Sequence, residues 1–267
     1  MTTYAYYPGC SLDGTSKEYN ESSRVVCKAI GLELQEVTDW NCCGGSSAHM
    51  VNPWLGLALP ARNLRQIESM GVDRCTVPCS ACYERLRDAQ HALKDEKTNR
   101  RMADEVGIKV AGKVKVEHLL DTLTQPEQLE KVKSLMKKPL AGLKVVCYYG
   151  CLITRPPEIV AFDDVENPRR MDDLLTMLGA EVIPWPFKTE CCGAVLAIGR
   201  TEVVLAAGHR LLTMAKQVGA DAIVAACPLC QSNIDAREGE IKGKYDDDFK
   251  MPVYFFTELM GLAFGLS

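Results

Sequence analysis

No stretch of this chain approaches the roughly 20 apolar residues that a bilayer-crossing helix needs, so no direct membrane insertion is expected. The opening residues, MTTYAYYPGC, lack the basic start and apolar run of a secretory leader, so no signal peptide is expected and a cytoplasmic location follows. An excess of one charge is missing too. With 31 Lys and Arg against 35 Asp and Glu, the net charge of −4 gives no reason to expect nucleic acid as a partner. No Gly-x-Gly-x-x-Gly follows any expected strand, so the chain is not expected to hold a dinucleotide of its own. Any electrons it handles must then come from a partner. An apolar share of 47% over 267 residues is enough for one large domain or two small ones.

The residue present in excess is cysteine, an odd total of 13. Cytoplasmic thiols stay reduced and a chain this long needs no disulfide staples, so clustered cysteines point to metal binding or redox chemistry. Ten of them form two copies of one pattern. The first is Cys10, then Cys42-Cys43-Gly44, then Cys79-x-x-Cys82. The second is Cys151, then Cys191-Cys192-Gly193, then Cys227-x-x-Cys230. Neighbouring residues repeat as well: Tyr6-Tyr7-Pro8-Gly9-Cys10 matches Tyr148-Tyr149-Gly150-Cys151, and Gly31-Leu32-Glu33 recurs 148 residues later as Gly179-Ala180-Glu181. Arg62 and Arg210, Gly71 and Gly219, and Asp73 and Asp221 keep that offset. Self-similarity in one register marks a duplicated unit.

Short β-rich runs at 4–7, 32–37, 75–77, 145–149, 182–183, 223–226 and 253–256 alternate with helical patterns such as 55–70 and 203–218, which stop at Gly71 and Gly219. This alternation predicts an α/β fold of two duplicated halves, each a small parallel sheet flanked by helices. Each half closes with a strand and helix, at 114–123 and 253–262, and the charged stretch 124–138 reads as a helical linker. The boundary is placed so that residues 1–138 form the first half and 139–267 the second. The C-x-x-C pairs are expected where a strand meets a helix, Cys10 and Cys151 at strand ends, and the Cys-Cys-Gly elements in loops. All five cysteines of a half then gather at the carboxyl edge of its sheet, where open α/β sheets place ligands.

Thiolate-only sites suit zinc, copper(I) or iron–sulfur clusters. Zinc takes four ligands in a closed tetrahedron, whereas each half offers five. Adjacent cysteines chelate one ion awkwardly but serve two irons of one cluster readily, which favours a polynuclear centre of unusual symmetry. Zinc in one half is the metal alternative. A thioredoxin-like dithiol at C-S-A-C or C-P-L-C is the other, and it accounts for neither the Cys-Cys-Gly elements nor the duplication.

The segments YYPGCS, NCCGG, VPCSAC, ECCGA and ACPLCQSN resemble the CCG-domain proteins, above all the B subunit of heterodisulfide reductase, over nearly the whole chain. The stretches after Cys10 and Cys43 look more like the bacterial heterodisulfide-reductase-like form. The resemblance implies two noncubane 4Fe–4S clusters facing one substrate cavity. Their ligands would be Cys10, Cys42, Cys43, Cys79 and Cys82, and Cys151, Cys191, Cys192, Cys227 and Cys230. Also implied are two partners, one a ferredoxin-like iron–sulfur protein and the other a flavin-containing protein of the same complex. The implied substrate is a disulfide, whether a small coenzyme pair, a lipoyl-like group or a protein-borne disulfide. A disulfide needs two electrons, and two facing one-electron centres supply that number.

Cys43, Cys192 and His49 are the candidate catalytic residues, His49 as proton donor to a departing thiolate, with a surface or core-lining histidine as the plainer reading. Cys27, Cys75 and Cys147 have no repeat partner and read as buried structural thiols. His91, His118 and His209 fall in helical patterns with no further signal. Arg155, Lys188 and Arg200 flank the second motif and read by default as solvated charge. Trp54 and Trp185 read as packing residues; Pro78 and Pro228, each ahead of a C-x-x-C cysteine, read as turn-setting residues. An electron-relay subunit of a quinone- or hydroxy-acid-linked oxidoreductase is the alternative function, and a zinc-stabilised scaffold the third.

Overall fold

A computed structural model describes residues 2–45 and 47–266. The first sheet is built from β1 (Thr2–Tyr6), β2 (Leu32–Glu36), β3 (Arg74–Val77) and β4 (Lys115–His118), in the order β2-β1-β3-β4. The second contains β5 (Lys144–Tyr148), β6 (Glu181–Val182), β7 (Ala222–Ala225) and β8 (Val253–Phe255), in the order β6-β5-β7-β8. Every pairing is parallel. The duplicated α/β architecture read from the cysteine spacing is thus the architecture of the chain.

In this strand order the chain leaves the central strand in one direction to reach β2 (or β6) and in the other to reach β3 (or β7). The reversal opens a crevice at the carboxyl ends of the two central strands, the place where open parallel sheets put their ligands. Cys10 follows β1 and Cys79 follows β3, on the two sides of that crevice; Cys151 and Cys227 follow β5 and β7 in the same way. Helices 53–69 and 201–217 cover the sheets where the periodicity of apolar residues predicts them. Pro53 at the first turn and the Asn52 cap, which accepts hydrogen bonds from the Trp54 and Leu55 amides, start the former.

The two halves share their cores. Around β1, Tyr4 and Tyr6 enter one core while Ala5 and Tyr7 enter another; around β5, Val145, Cys147 and Tyr149 join the first and Val146 and Tyr148 the second. Sheets covered on both faces bury alternate residues on opposite sides, so each core is stocked from both halves. Helix 17–29 packs on helix 256–264, with the Tyr19 ring stacked on Phe255 at 4.0 Å. Helix 80–92 packs on the short helix Pro157–Val160, where the Tyr83 hydroxyl donates to the Val160 carbonyl at 2.7 Å. No helix among the described residues is long and apolar enough to cross a membrane.

Candidate functional site

Each half positions its cysteines with the same parts. The buried tyrosine at the end of the central strand reaches the loop ahead of the cysteine pair: Tyr7 donates to the Asn41 carbonyl and Tyr148 to the Glu190 carbonyl, each at 2.7 Å. In the first half Asn63 doubles this tie, giving an amide hydrogen to the same carbonyl at 2.8 Å and accepting from the Asn41 amide at 2.9 Å. Trp185 packs edge-on against Tyr148 and donates to the Cys147 carbonyl, which fits its reading as a packing residue. A buried hydroxyl or amide bound to a carbonyl holds a loop firmly, because breaking it strands both groups away from water.

Gly9 and Gly150 bring the chain against the second cysteine of each C-x-x-C. Both have positive φ, and a Cβ there would stand 2.8 Å from the Cys82 sulfur or 2.9 Å from the Cys230 sulfur. Gly71 also has positive φ but faces open space. Gly9→Ala is therefore expected to cost the backbone strain of about 1–3 kcal/mol and, in addition, to displace Cys82, whereas Gly71→Ala costs the strain alone. Urea unfolding and metal content of the two variants test this; equal losses would show that the sulfur contact carries no weight.

The sulfurs pair up. Cys10 and Cys42 Sγ are 3.7 Å apart, Cys43 and Cys82 3.4 Å, and Cys192 and Cys230 3.6 Å. Cys151 and Cys191 interact likewise. Hydrogen bonds from Cys10 and Cys43 hold the Cys42 thiol well below its ordinary range, and a hydrogen bond from Cys151 does the same for Cys191. Cys10, Cys42 and Cys191 are exposed, Cys151 is half-buried, and the other six are buried. The C-x-x-C pairs of the two halves enter one buried core, and neighbouring sulfurs including each other push the Cys79 thiol up and hold the Cys227 thiol down.

Two residues hold that junction. The Tyr19 hydroxyl lies 3.4 Å from the Ala226 carbonyl, just ahead of Cys227. His118 ends β4 rather than sitting in a helix, a correction to the helical reading, and is completely buried. Its Nδ1 accepts from the Leu120 amide at 3.1 Å and its Nε2 stands 3.3 Å from the Ser80 hydroxyl. The ring lies near the backbone of Pro78 and Ala226, one from each half, and burial lowers its pKa to about 4. The repeat carried no hint of it, because the matching position at the end of β8 is Phe255.

The remaining candidates make no hydrogen bond to a cysteine sulfur among the described residues. His49 sits in the short helix Ala48–Val51, its Nδ1 buried without a partner, and no hydrogen bond joins it to a cysteine among the described residues. Lys188 is a correction: it is buried and ion-paired with Asp172 at 2.6 Å, not solvated. Arg155 pairs with Glu166 at 2.8 Å, and Arg200 with Glu202 at the surface. Arg101 lies over the Trp54 ring at 4.2 Å. Cys27, Cys75 and Cys147 are fully buried.

The donor set of each half is five thiols. Among the described residues no three His, Cys, Asp or Glu side chains surround a single-ion position. Soft donors gathered in pairs fit a polynuclear iron–sulfur group better than one zinc ion.

Comparison with known proteins agrees with this chemistry. The cysteine-rich CCG domain matches residues 4–87 and 145–235, one copy per half. The chain is 32% identical to the 8-methylmenaquinol:fumarate reductase membrane anchor subunit of Wolinella succinogenes, over 98% of this chain and 92% of that one. It is 28% identical to the B subunit of the ferredoxin/F(420)H(2)-dependent CoB-CoM heterodisulfide reductase of Methanosarcina acetivorans, over 100% of this chain and 91% of that one. In fold it resembles the crystal structure of a hypothetical protein from Helicobacter pylori, with a TM-score of 0.81 at 12% identity, covering 100% of this chain and 49% of that one. The chain belongs to the CCG cysteine-rich family, alongside the B subunits of the heterodisulfide reductases.

Proposed function

We propose that this chain is the iron–sulfur subunit of a heterodisulfide-reductase-like complex that reduces, or in reverse forms, a disulfide. Cys10, Cys42, Cys43, Cys79 and Cys82 would hold one noncubane 4Fe–4S cluster and Cys151, Cys191, Cys192, Cys227 and Cys230 another. The observation that carries this reading is that each half pairs an inner sulfur of its Cys-Cys with its C-x-x-C, Cys43 with Cys82 at 3.4 Å and Cys192 with Cys230 at 3.6 Å, while Cys10, Cys42 and Cys191 stay open to solvent. When bound, the two clusters supply one electron each, the pair a disulfide requires. The chain's own share is to fix the sulfurs: Gly9 and Gly150 admit the close approach, Tyr7 and Tyr148 anchor the cysteine-pair loops, and the buried His118 steadies the first C-x-x-C turn beside Ser80. His49, with its unpartnered Nδ1 behind the first loop, would give a proton to a departing thiolate. A ferredoxin-like iron–sulfur partner and a flavin-containing partner would bring the electrons, and the substrate would be a small coenzyme pair or a protein-borne disulfide.

A second reading, an electron relay to a quinone-linked oxidoreductase, draws on the side chains that follow the two cysteine-pair loops. Met50, Val51 and Ile198 are exposed to 66%, 79% and 98%, large apolar side chains that a lipophilic partner would cover. The name of the Wolinella relative points the same way.

Anaerobically purified protein is expected to contain iron and acid-labile sulfide at the level of two four-iron clusters per chain. Zinc without iron would leave only the scaffold reading. Added thiol under oxidising conditions is expected to give a new EPR signal. Its absence, with iron present, would favour the relay.

A further inference from the structure

The two halves treat the second cysteine of the pair differently. After Cys43 come Gly44 and Gly45, and the backbone at Gly45 lies close against the Cys43 sulfur. A side chain at Gly45 would stand 3.3 Å from that sulfur. After Cys192 the second glycine is missing. Ala194 instead begins a 3-10 turn, Ala194–Leu196, and the side-chain amide of a distant residue reaches the Cys192 sulfur. Asn233 Nδ2 lies 3.7 Å from Cys192 Sγ and 3.4 Å from the Cys192 carbonyl oxygen, and the side chain is 4% exposed.

Asn233 reaches Cys192 because the helix after Cys230 is wound as a π turn, Ser232–Ala236. Such single turns are rare and concentrate at functional sites. Gly208, on helix 201–217, makes room for it: a Cβ there would meet Ile241 at 2.7 Å and the Asn233 carbonyl at 3.4 Å. In the first half the helix after the C-x-x-C, 80–92, is regular. The residue 148 positions before Asn233 is Arg85, whose guanidinium pairs with Glu84 and, at 3.8 Å, with Asp88. That side chain is committed to carboxylates rather than to sulfur, and the position matching Gly208 is Pro60.

We infer that Asn233 is a sulfur-directed positioning residue that raises the reduction potential of the second-half cluster and so sets the two centres apart; the inference rests on the cluster reading above. An amide N–H pointed at a thiolate sulfur withdraws electron density from it and favours the reduced form. Hydrogen bonds to the sulfurs are among the factors that fix the potential of a cluster. Because the donor is a side chain, it can be removed without disturbing the cysteines.

The test is an EPR-monitored redox titration of anaerobically purified Asn233→Leu beside the unsubstituted protein, with iron and sulfide measured first. With both clusters present, the potential of one is expected to fall and that of the other to stay. At a fixed applied potential the reduced-to-oxidised ratio of the affected cluster should drop about tenfold, equal to 59 mV for a one-electron couple. Two unchanged potentials would overturn the inference. If Asn233→Leu loses the metal of the second half, Asn233→Met, which is uncharged and has no N–H, is titrated in its place under the same criterion. A residue needed only for folding would change metal content and leave the potentials of loaded protein alone. Absence of iron from the unsubstituted protein would overturn the cluster reading instead.

Discussion

Cys192→Ala is expected to lower disulfide-reductase turnover by more than about a hundredfold while leaving the sulfur set of the first half intact. Loss of groups that merely support a metal ligand already costs about 10–100-fold, and Cys192 is itself a proposed ligand. Its sulfur lies 3.6 Å from Cys230 and receives the Asn233 amide, so removal empties the inner part of the second set. The first set is insulated from that change. Cys43 is paired with Cys82 at 3.4 Å, and among the described residues no hydrogen bond joins Cys192 to a sulfur of that set. Iron and sulfide should fall to about half, with one EPR species retained, and turnover with a disulfide and a reductant measures the rest. A variant that kept full activity would sink the paired-centre mechanism, since a single one-electron site cannot supply the electron pair in one encounter.

Much of the architecture was readable because duplication writes itself twice. The offset of 148 residues that matches Gly71 to Gly219 also matches Cys75–Val77 to Ile223–Ala225, and both segments are strands at the same place in their sheets. The switch-point placement of Cys10 and Cys79 follows from strand order, which the alternation of strand and helix already constrains. Sequence pattern did not reveal that the two cores are shared. Tyr19 stacks on Phe255 across more than two hundred residues of chain, and no local periodicity reports which of two apolar faces will meet.

Residues that break the repeat were harder still to read. His118 has Phe255 at the matching position, so the duplication offers no second copy to compare. Asn233 acts through a π turn, a backbone detail that propensities do not encode. Lysine is solvated in most proteins, and the partner that makes Lys188 an exception, Asp172, lies on a helix well before it in the chain.

That pair carries the largest stability effect expected outside the sulfurs. Lys188 and Asp172 are 6% and 7% exposed, with Nζ and Oδ1 2.6 Å apart. The Lys188 ammonium also donates to the Pro168 carbonyl at 3.0 Å, and the Tyr149 hydroxyl donates to Asp172 at 2.7 Å while accepting from the Met171 amide. The Lys188 carbonyl in turn receives the Tyr149 and Gly150 amides at 2.9 and 3.1 Å, which fixes the turn that presents Cys151. Asp172→Ala leaves an ammonium buried without its counter-charge, and losing one partner of a buried pair costs about 3–5 kcal/mol. Against a typical total of about 5–15 kcal/mol, that is a large share. The double variant Asp172→Leu, Lys188→Met removes both charges and is expected to regain most of the loss, because an apolar pair of similar size needs no compensation. Urea unfolding of the two variants, with iron content followed in parallel, separates the causes. The single variant should lose metal from the second half first, through the Tyr149–Gly150 turn. Equal destabilisation of single and double variants would mean that the hydrogen bonds around Tyr149, rather than the unpaired charge, hold this corner of the site together.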